Sequence, residues 1–256
     1  MKKKTLKVLN LLVYPIGAVI VIALIWQAIY LKGGSEFIFP SLSSTVRKIG
    51  EYLSDGYFWK ASLNTLLRVL IAFLIAFLLA VITGTLAYIF PTVKKILAPF
   101  IHIMISAPTV AFMIMLNLAA VKRTLSPVIV ALTVIYPTAY ASVSAAFSKI
   151  DDKLVEMAKT YRVPLKKRIF SFYVPYVMPY IIEQAGTTAS FTLKITVSAE
   201  IIAYTYKSLG GMINKANQWI EIDGVMALTV ISVLFALLIE GVIKAAVYFY
   251  KRGKRL

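Results

Sequence analysis

The sequence of 256 residues contains no cysteine, a single histidine and only 11 acidic residues. The missing cysteines exclude disulfides, thiolate metal ligands and a thiol nucleophile. One imidazole, at His102, is too few for a histidine-ligated zinc site. No pair of carboxylates and no nucleophile arrangement suggests covalent chemistry. We therefore expect neither a metal site nor a catalytic centre.

Charge of either sign is also scarce. Charged residues make up 15% of the chain, against about 25% in soluble domains. Hydrophobic residues make up 60%, and the mean hydropathy is +0.81. A single core of this size cannot hide so much apolar surface, so lipid is the expected solvent. This excludes an ordinary cytosolic enzyme and a disordered chain.

Long apolar runs predict an all-α membrane protein with six transmembrane helices, in a single transmembrane domain covering residues 1–256. The predicted spans are residues 9–31, 63–90, 96–121, 125–147, 170–206 and 225–250. Ser41 to Tyr52 predicts a short amphipathic helix at the membrane surface. The first run is too long for the apolar core of a signal peptide, so it is interpreted as a retained anchor.

The placement of the basic residues predicts the orientation of the chain. A net charge of +17 would suggest a nucleic-acid partner in a soluble protein. Here most basic residues fall on one predicted side of the membrane, in residues 2–7, 94–95, 149–168 and 251–255. The positive-inside rule then places both termini in the cytoplasm, with no nucleic-acid partner. Lys122 and Arg123 are exceptions, because they fall on the predicted outer side.

The cytoplasmic segment between the fourth and fifth spans predicts a short helix at about residues 152–163. Asp151 or Asp152 suits its N-cap, and Pro164 ends it. Its apolar stripe consists of Leu154, Val155, Ala158 and Tyr161. A helix of about three turns is not stable alone, so it must lie on a surface. That surface is either the membrane, for a simple connector, or a cytoplasmic partner.

The same segment contains a distinctive order of residues. Glu156-Met157-Ala158 and Tyr161-Arg162 are followed by Val174-Pro175 and Met178-Pro179. This order resembles the Glu-Ala-Ala motif of ABC importer permeases. Three further segments resemble the sulfonate/nitrate/taurine-type branch of that family: Phe39-Pro40-Ser41, Ser62 to Val69, and Ser198-Ala199-Glu200 with Leu209-Gly210-Gly211. The resemblance extends over nearly the whole chain.

The resemblance implies a permease subunit of an ATP-binding-cassette importer in a bacterial inner membrane. Two permease subunits, as a homodimer or a heterodimer, would form the pathway above a cytoplasmic ATPase dimer. An extracytoplasmic binding protein would deliver the substrate. ATP and Mg would bind the ATPase, since this chain lacks a Gly-x-x-x-x-Gly-Lys-Ser/Thr motif and is expected to bind no cofactor. The residues expected to couple to the ATPase are Asp152, Val155, Glu156, Met157, Ala158, Tyr161, Arg162 and Pro164.

Two features depart from the family pattern. Arg162 stands where the family has a glycine at the end of the coupling helix. A left-handed backbone there carries a penalty that glycine avoids, so either the turn differs or the ATPase cleft has a matching change. Met115 to Ala120 replaces the Trp-Phe-Gly-x-Gly run that is usual in the branch.

Polar residues inside the spans are further candidates, because ionisable groups at membrane depth are functional candidates by default. We expect Lys194 and Glu200 to line the pathway or stabilise the dimer, or else to be neutralised by a neighbouring helix or to snorkel to an interface. Arg68 is expected to snorkel to the interface, and Glu240 to pair with Lys244. The candidate polar residues of the pathway are His102, Pro108, Asn117, Lys194 and Glu200, with Pro108 expected to kink the third span.

By resemblance, the expected substrate is a small solute such as a sulfonate, nitrate or taurine-like anion. A thiamine-precursor-like or other heterocyclic solute is the alternative within the branch. From a different class, an ion-coupled secondary transporter or channel would use Lys194 and Glu200 as coupling charges and need no ATPase. A membrane-embedded enzyme is disfavoured because catalytic groups are missing.

Overall fold

The computed structural model describes residues 2–33, 38–119 and 124–253, and within these ranges the chain is helical and has no β-strand. The elements are α1 (Lys2–Gly33), α2 (Leu42–Ser54), α3 (Gly56–Ile89), α4 (Pro91–Ser106), α5 (Thr109–Ala119), α6 (Ser126–Phe147), α7 (Asp152–Thr160), α8 (Leu165–Arg168), a π-helical turn (Ile169–Tyr173), α9 (Val174–Ile202), α10 (Leu209–Gln218) and α11 (Ile222–Gly253). The predicted all-helical class is confirmed for these ranges.

The chain divides into two compact units, of which the first comprises Met1–Trp59 and Met212–Ile231. In this unit α2 begins after Ser41, whose hydroxyl accepts a hydrogen bond from the Ser44 amide at 3.1 Å. Lys48 on α2 forms ion pairs with Glu51 at 3.2 Å and Glu221 at 3.7 Å. Desolvation by burial opposes the charged form of Lys48, but its hydrogen bond to Glu51 and the charge of Glu221 outweigh it and raise the pKa of the ammonium. The short amphipathic helix predicted here is confirmed.

The second unit comprises Lys60–Gly211 and Ser232–Leu256 and is packed around small residues of α3. Ala72, Ala76 and Ala80 recur at four-residue steps and are fully buried. Gly84 continues this row, and a Cβ there would lie 2.6 Å from Cγ1 of Val143 on α6. Small side chains let helix backbones approach closely, which favours association in lipid, where the hydrophobic effect between helices is absent.

Three helices are long and apolar enough to cross a membrane: Gly56–Ile89, Ser126–Phe147 and Ile222–Phe249. The bent pair α4–α5 makes a fourth if it is counted as one span, and α1 contributes a shorter apolar helix, Gly17–Gly33. With 29 residues, α9 is long enough, but it carries charged residues and buried threonines along its length and is not among these helices. The described residues therefore support three or four spans, and the count of six stays a prediction.

The third predicted span is interrupted in the structure. Between the end of α4 at Ser106 and the start of α5 at Thr109, the chain bends by 100°. Pro108 lies at this break, where a proline cannot continue the helical hydrogen-bond ladder. The kink expected at Pro108 is present, and it is sharp enough for a broken span or a re-entrant loop. Residues 120–123, which include the end of the predicted span, lie outside the described residues.

Candidate functional site

A buried ion pair joins α3 to the end of α9. The Nη1 group of Arg68 donates to Oε1 of Glu200 at 2.8 Å; the Glu200 side chain is fully buried and that of Arg68 is 13% exposed. Thr65, one turn before Arg68, donates its hydroxyl to the same carboxylate at 2.9 Å. The expectation that Arg68 snorkels to the interface is wrong, because a buried carboxylate satisfies the guanidinium inside the protein.

The same carboxylate holds the start of α10. The Gly210 amide donates to Oε2 of Glu200 at 3.1 Å, and the Leu209 amide donates to Oγ1 of Thr65 at 2.9 Å. The first amides of a helix have no acceptor within that helix, so Glu200 and Thr65 cap α10 from outside it. The carboxylate also lies at the positive end of the helix dipole. We call Thr65, Arg68, Glu200, Leu209 and Gly210 the Glu200 cluster.

Close backbone approach explains the paired glycines at this point. A Cβ on Gly210 would lie 2.6 Å from the carbonyl oxygen of Val197 and would also overlap Cβ of Glu200. A Cβ on Gly211 would overlap the carbonyl oxygen of Thr205. Most of these contacts are with backbone atoms, which cannot rotate away as a side-chain end can. The Leu209-Gly210-Gly211 segment is therefore required by packing.

Sequence reasoning selected Glu200 but missed its partners. Thr65 and Arg68 are three residues apart on α3 and share one face of that helix, so their spacing was a usable signal. Thr188, Thr192 and Thr196 precede Glu200 at four-residue steps on α9 and are all buried. The hydroxyl of Thr196 is buried and has no hydrogen-bond partner among the described atoms. This face of α9 is thus a polar strip inside the second unit.

Another face of α9 is polar and exposed. It consists of Glu183, Gln184, Thr187 and Lys194, which are exposed, and Ser198, which is half-buried. These residues recur at helical spacing, and we call them the α9 polar face. The outward residues of α3 and α11 differ, since they are mostly leucine, isoleucine and valine, such as Leu78 at 62% and Leu237 at 59% exposure. Surfaces of the second kind suit lipid, whereas the α9 polar face does not.

Lys194 is the basic residue of the α9 polar face. Among the described residues no carboxylate lies within 4.0 Å of its ammonium group. It precedes the end of α9 at Ile202 by eight residues, which is about 12 Å of helix rise. Lys194 and Glu200 were both expected to line the pathway or stabilise the dimer, but the structure places them on different faces of α9.

The remaining intramembrane candidates are dispersed. Asn117 on α5 donates its Nδ2 group to the carbonyl oxygen of Ile202 at 3.4 Å, which holds α5 near the end of α9. His102 on α4 and Pro108 after it are exposed. Among the described contacts, none joins His102 to Glu200. In the described ranges, no group of three or more His, Asp or Glu side chains is close enough to hold a metal ion.

The helix α7 lies where the coupling helix was predicted. Leu154, Val155 and Ala158 are half-buried, and Val155 packs against the core of the second unit. Tyr161 is 77% exposed and does not join this packed stripe, so its predicted place in the stripe is wrong. Among the side chains of the helix and its end that the structure describes, the exposed ones are Lys153, Glu156, Met157, Thr160, Tyr161 and Arg162. One side of α7 is therefore fixed to the protein, and the other side is open.

The turn after α7 has a left-handed backbone at Arg162. Its φ is 49°, and the Val163 amide donates to the carbonyl oxygen of Ala158 at 3.1 Å. This six-to-one bond is that of a Schellman turn, which favours glycine. Of the two explanations for Arg162, a different turn is excluded, and the arginine carries a strain of about 1 kcal/mol relative to glycine. Tyr204 and Ile220, with φ of 49° and 59°, follow α9 and α10 in the same way.

Several solved structures share this arrangement of helices. The MetNI methionine ABC transporter in inward-facing conformations matches with a TM-score of 0.64 and 15% identity, over 76% of this chain and 98% of that chain. An amino acid ABC transporter with histidines matches with a TM-score of 0.61 and 13% identity, over 84% and 99%. A bacterial alginate ABC transporter in complex with an alginate pentasaccharide-bound periplasmic protein matches with a TM-score of 0.62 and 14% identity, over 90% and 92%. At these identities the likeness shows the fold, that of membrane subunits in ABC transporters.

The sequence itself identifies the family. Residues 76–249 match the model of the binding-protein-dependent transport system inner membrane component, and the chain belongs to this family. It is a membrane-embedded permease component of the ABC importer type. No curated protein sequence matches the chain significantly. The narrower resemblance to the sulfonate/nitrate/taurine-type branch stays a prediction.

Proposed function

We propose that this chain is the permease subunit of an importer in a bacterial inner membrane, with both termini in the cytoplasm. Two copies form the translocation pathway with their α9 polar faces. The open side of α7 docks on a separate cytoplasmic ATPase, which binds ATP and Mg. An extracytoplasmic binding protein delivers the substrate. A homodimer is the simplest assembly, because one polar face then supplies both walls.

The observation that carries this proposal is the construction of α7. Its nine residues are too few to form a stable helix alone, and the half-buried Leu154, Val155 and Ala158 anchor it to the second unit. Met157 and Tyr161 remain 52% and 77% exposed beside Glu156. Exposed apolar side chains on an anchored helix suit a protein partner that covers them. Because the anchor joins the core packed on α9, a push on α7 can reach the pathway.

The α9 polar face supports the second half of the proposal. Charged and amide side chains on a membrane helix face a water-filled cavity or another protein chain. Glu183 and Lys194 are eleven residues apart in an unbroken helix, so both lie on this face. The Glu200 cluster lies elsewhere on α9 and serves to fix α3, α9 and the start of α10 together. Of the two roles expected for Glu200, a structural one is favoured by its burial.

The substrate is proposed from the branch resemblance: a small solute such as a sulfonate, nitrate or taurine-like anion, with a heterocyclic solute as the alternative. The binding protein performs most of the selection in this scheme. The rival function, an ion-coupled transporter or channel, would leave α7 without a partner. A test of whether α7 docks on an ATPase therefore distinguishes the two functions.

The test is a charge reversal, Glu156→Arg, in the transporter purified with its ATPase and reconstituted in vesicles. We expect transport to fall at least tenfold, while the permease still inserts and folds, because the variant alters only the open side of α7. Glu51→Arg is the control, since it makes the same charge change on the exposed surface of α2. It also breaks the pairs of Glu51 with Arg47 and Lys48, so it is the harsher change at a site away from α7. The control should keep more than half of the transport.

Unchanged coupling of ATP hydrolysis to transport in Glu156→Arg would contradict the docking of α7. Uptake driven by a proton gradient, with no ATPase present, would overturn the proposed function as a whole. Fluorescence-detected size-exclusion chromatography of each variant shows whether a loss of transport arises from misfolding. All three readouts are independent of where the α9 polar face lies.

A further inference from the structure

We infer that Lys194 of one copy and Lys194 of a second copy together form an anion-binding site within the pathway. The inference rests on the proposed function, because it requires the α9 polar faces of two copies to meet. It assigns a ligand chemistry and a residue to that pathway. The charges of the membrane helices provide the first observation.

Three basic residues, Arg68, Lys194 and Lys244, fall within the predicted spans, and two of them have carboxylate partners. Arg68 is paired with the buried Glu200, and Lys244 is paired with Glu240 one turn away. Lys194 is exposed, and no described carboxylate lies within 4.0 Å of its ammonium. A charged group at membrane depth requires water, a partner or a counter-ion. Among the described residues Lys194 has no such partner, so we infer that water, a second chain or a counter-ion neutralises or solvates its charge.

A second copy of the chain does not supply that partner. In a two-fold symmetric pair each residue near the axis meets its own counterpart, so Lys194 faces Lys194. The nearest acidic position on the α9 polar face is Glu183, which is about 16 Å away along the helix. Two ammonium groups that face each other repel, and an anion between them adds two attractions that outweigh the repulsion, because each ammonium is closer to the anion than to the other ammonium. The symmetric pair thus favours an anionic occupant.

The surrounding residues suit the same ligand. Ser198 is one turn from Lys194 and half-buried, and Thr187 is exposed two turns before it. The Thr187 hydroxyl can donate a hydrogen bond to an anion, whereas the apolar outward faces of α3 and α11 cannot. The Ser198 hydroxyl donates to the carbonyl oxygen of Lys194 at 3.0 Å and must rotate away from it to donate to an anion. Ammonium groups bind carboxylate, sulfonate, phosphate and halide ions alike. The occupant is therefore either the transported solute, through an anionic group, or an inorganic counter-ion.

The absence of cysteine in the chain allows a direct test with a single reporter, Ser198→Cys. In the assembled transporter, its thiol is reacted with an anionic and with a cationic methanethiosulfonate reagent, and the ratio of the two rates is measured. We expect Lys194→Gln to lower the anionic-to-cationic ratio by roughly tenfold, since two ammonium groups about one turn away act oppositely on the two reagents. Lys215→Gln, which removes an exposed lysine from α10, is the matched control and should change the ratio less than twofold.

Protection experiments separate the two sources of the anion. Chloride, sulfate and methanesulfonate are each added before the reagents. Protection by chloride at the lowest concentration supports a counter-ion, and protection by methanesulfonate at the lowest concentration supports an anionic solute. In either case the protection should disappear in Lys194→Gln.

Two results would overturn the inference in distinguishable ways. In the first, the thiol at Ser198→Cys reacts with both reagents and forms a disulfide between copies, but Lys194→Gln leaves the ratio of the two rates unchanged. That result would refute the anion site alone. The proposed pathway would survive that result. A thiol that neither reacts nor cross-links would refute the placement of the α9 polar face, and the anion site with it. Docking of α7 on the ATPase would still stand on its own test.

Discussion

The Glu200 cluster allows a quantitative prediction about buried charge. Arg68→Met leaves the fully buried carboxylate of Glu200 without its counter-charge. Removing one partner of a buried ion pair costs about 3–5 kcal/mol, and the full burial of Glu200 places Arg68→Met well inside that range. Glu200→Gln leaves the 13% exposed guanidinium, which retains some hydration, and it loses charged acceptors worth about 1.5–3 kcal/mol each. We therefore expect about 4 kcal/mol for the first variant and about 3 kcal/mol for the second.

The double variant, Arg68→Met with Glu200→Gln, distinguishes a pair from two separate contributions. It removes both charges, so no unpaired charge stays buried, and we expect its cost to fall about 2 kcal/mol short of the sum of the single variants. The assay is the apparent free energy of unfolding in mixed micelles, titrated with denaturing detergent. The reasoning would be refuted if each single variant cost less than about 1 kcal/mol and the double variant cost the sum of the two.

A matched pair on the same chain provides the control. Glu240 and Lys244 are spaced i,i+4 on α11, and the lysine side chain is 61% exposed. Exposed pairs of this kind contribute about 0.3–0.5 kcal/mol. Glu240→Gln with Lys244→Gln should therefore cost less than about 0.5 kcal/mol in the same assay. An equal cost for the two pairs would show that burial does not decide the strength of the Glu200 pair.

Two further predictions concern the backbone. Gly210→Ala should destabilise the protein by about 3 kcal/mol, because its Cβ would overlap the backbone of α9. Gly50→Ala, with no atom within 4 Å, should instead stabilise α2 by about 0.5–1 kcal/mol. Changes in the free energy of unfolding that have the same sign in both variants would contradict this. Arg162→Gly should relieve about 1 kcal/mol of strain and slow hydrogen exchange of the Val163 amide about fivefold, without loss of the ATPase on purification. Loss of the ATPase would instead show that the partner requires the arginine side chain.

The sequence predicted local structure well wherever short-range chemistry controls it. Serine-rich residues after Pro40 predicted the start of α2, Pro108 predicted the break between α4 and α5, and Pro164 predicted the end of the helix before it. Each of these depends on backbone geometry within a few residues. The short helix at 152–160 also follows from its own capping residues and spacing. Its docking role stays a prediction, since a role depends on a partner.

The errors concern partners that lie far apart in the chain. Arg68 was assigned to the interface because its distance from the end of the predicted span can be counted in the sequence. Its carboxylate partner lies 132 residues away, and no local pattern indicates that contact. Tyr161 fits the spacing of the apolar stripe, but the helix ends there and the Arg162 turn leaves its ring exposed. Arg162 itself shows that a left-handed turn can form without the glycine that usually signals it.

The sequence by itself determined the solvent and the helical class, because composition and apolar runs are summed properties that do not depend on particular contacts. The family followed from the resemblance of short motifs, such as Glu156-Met157-Ala158, to those of known permeases. The sequence also determined which segments are short helices or breaks. Only the tertiary structure decided which polar residues are neutralised and which are not. Glu200 and Lys194 are six residues apart on one helix, yet one is buried against Arg68 and the other is exposed. Their difference arises from what α3 and α10 place around α9, and no local pattern contains that information.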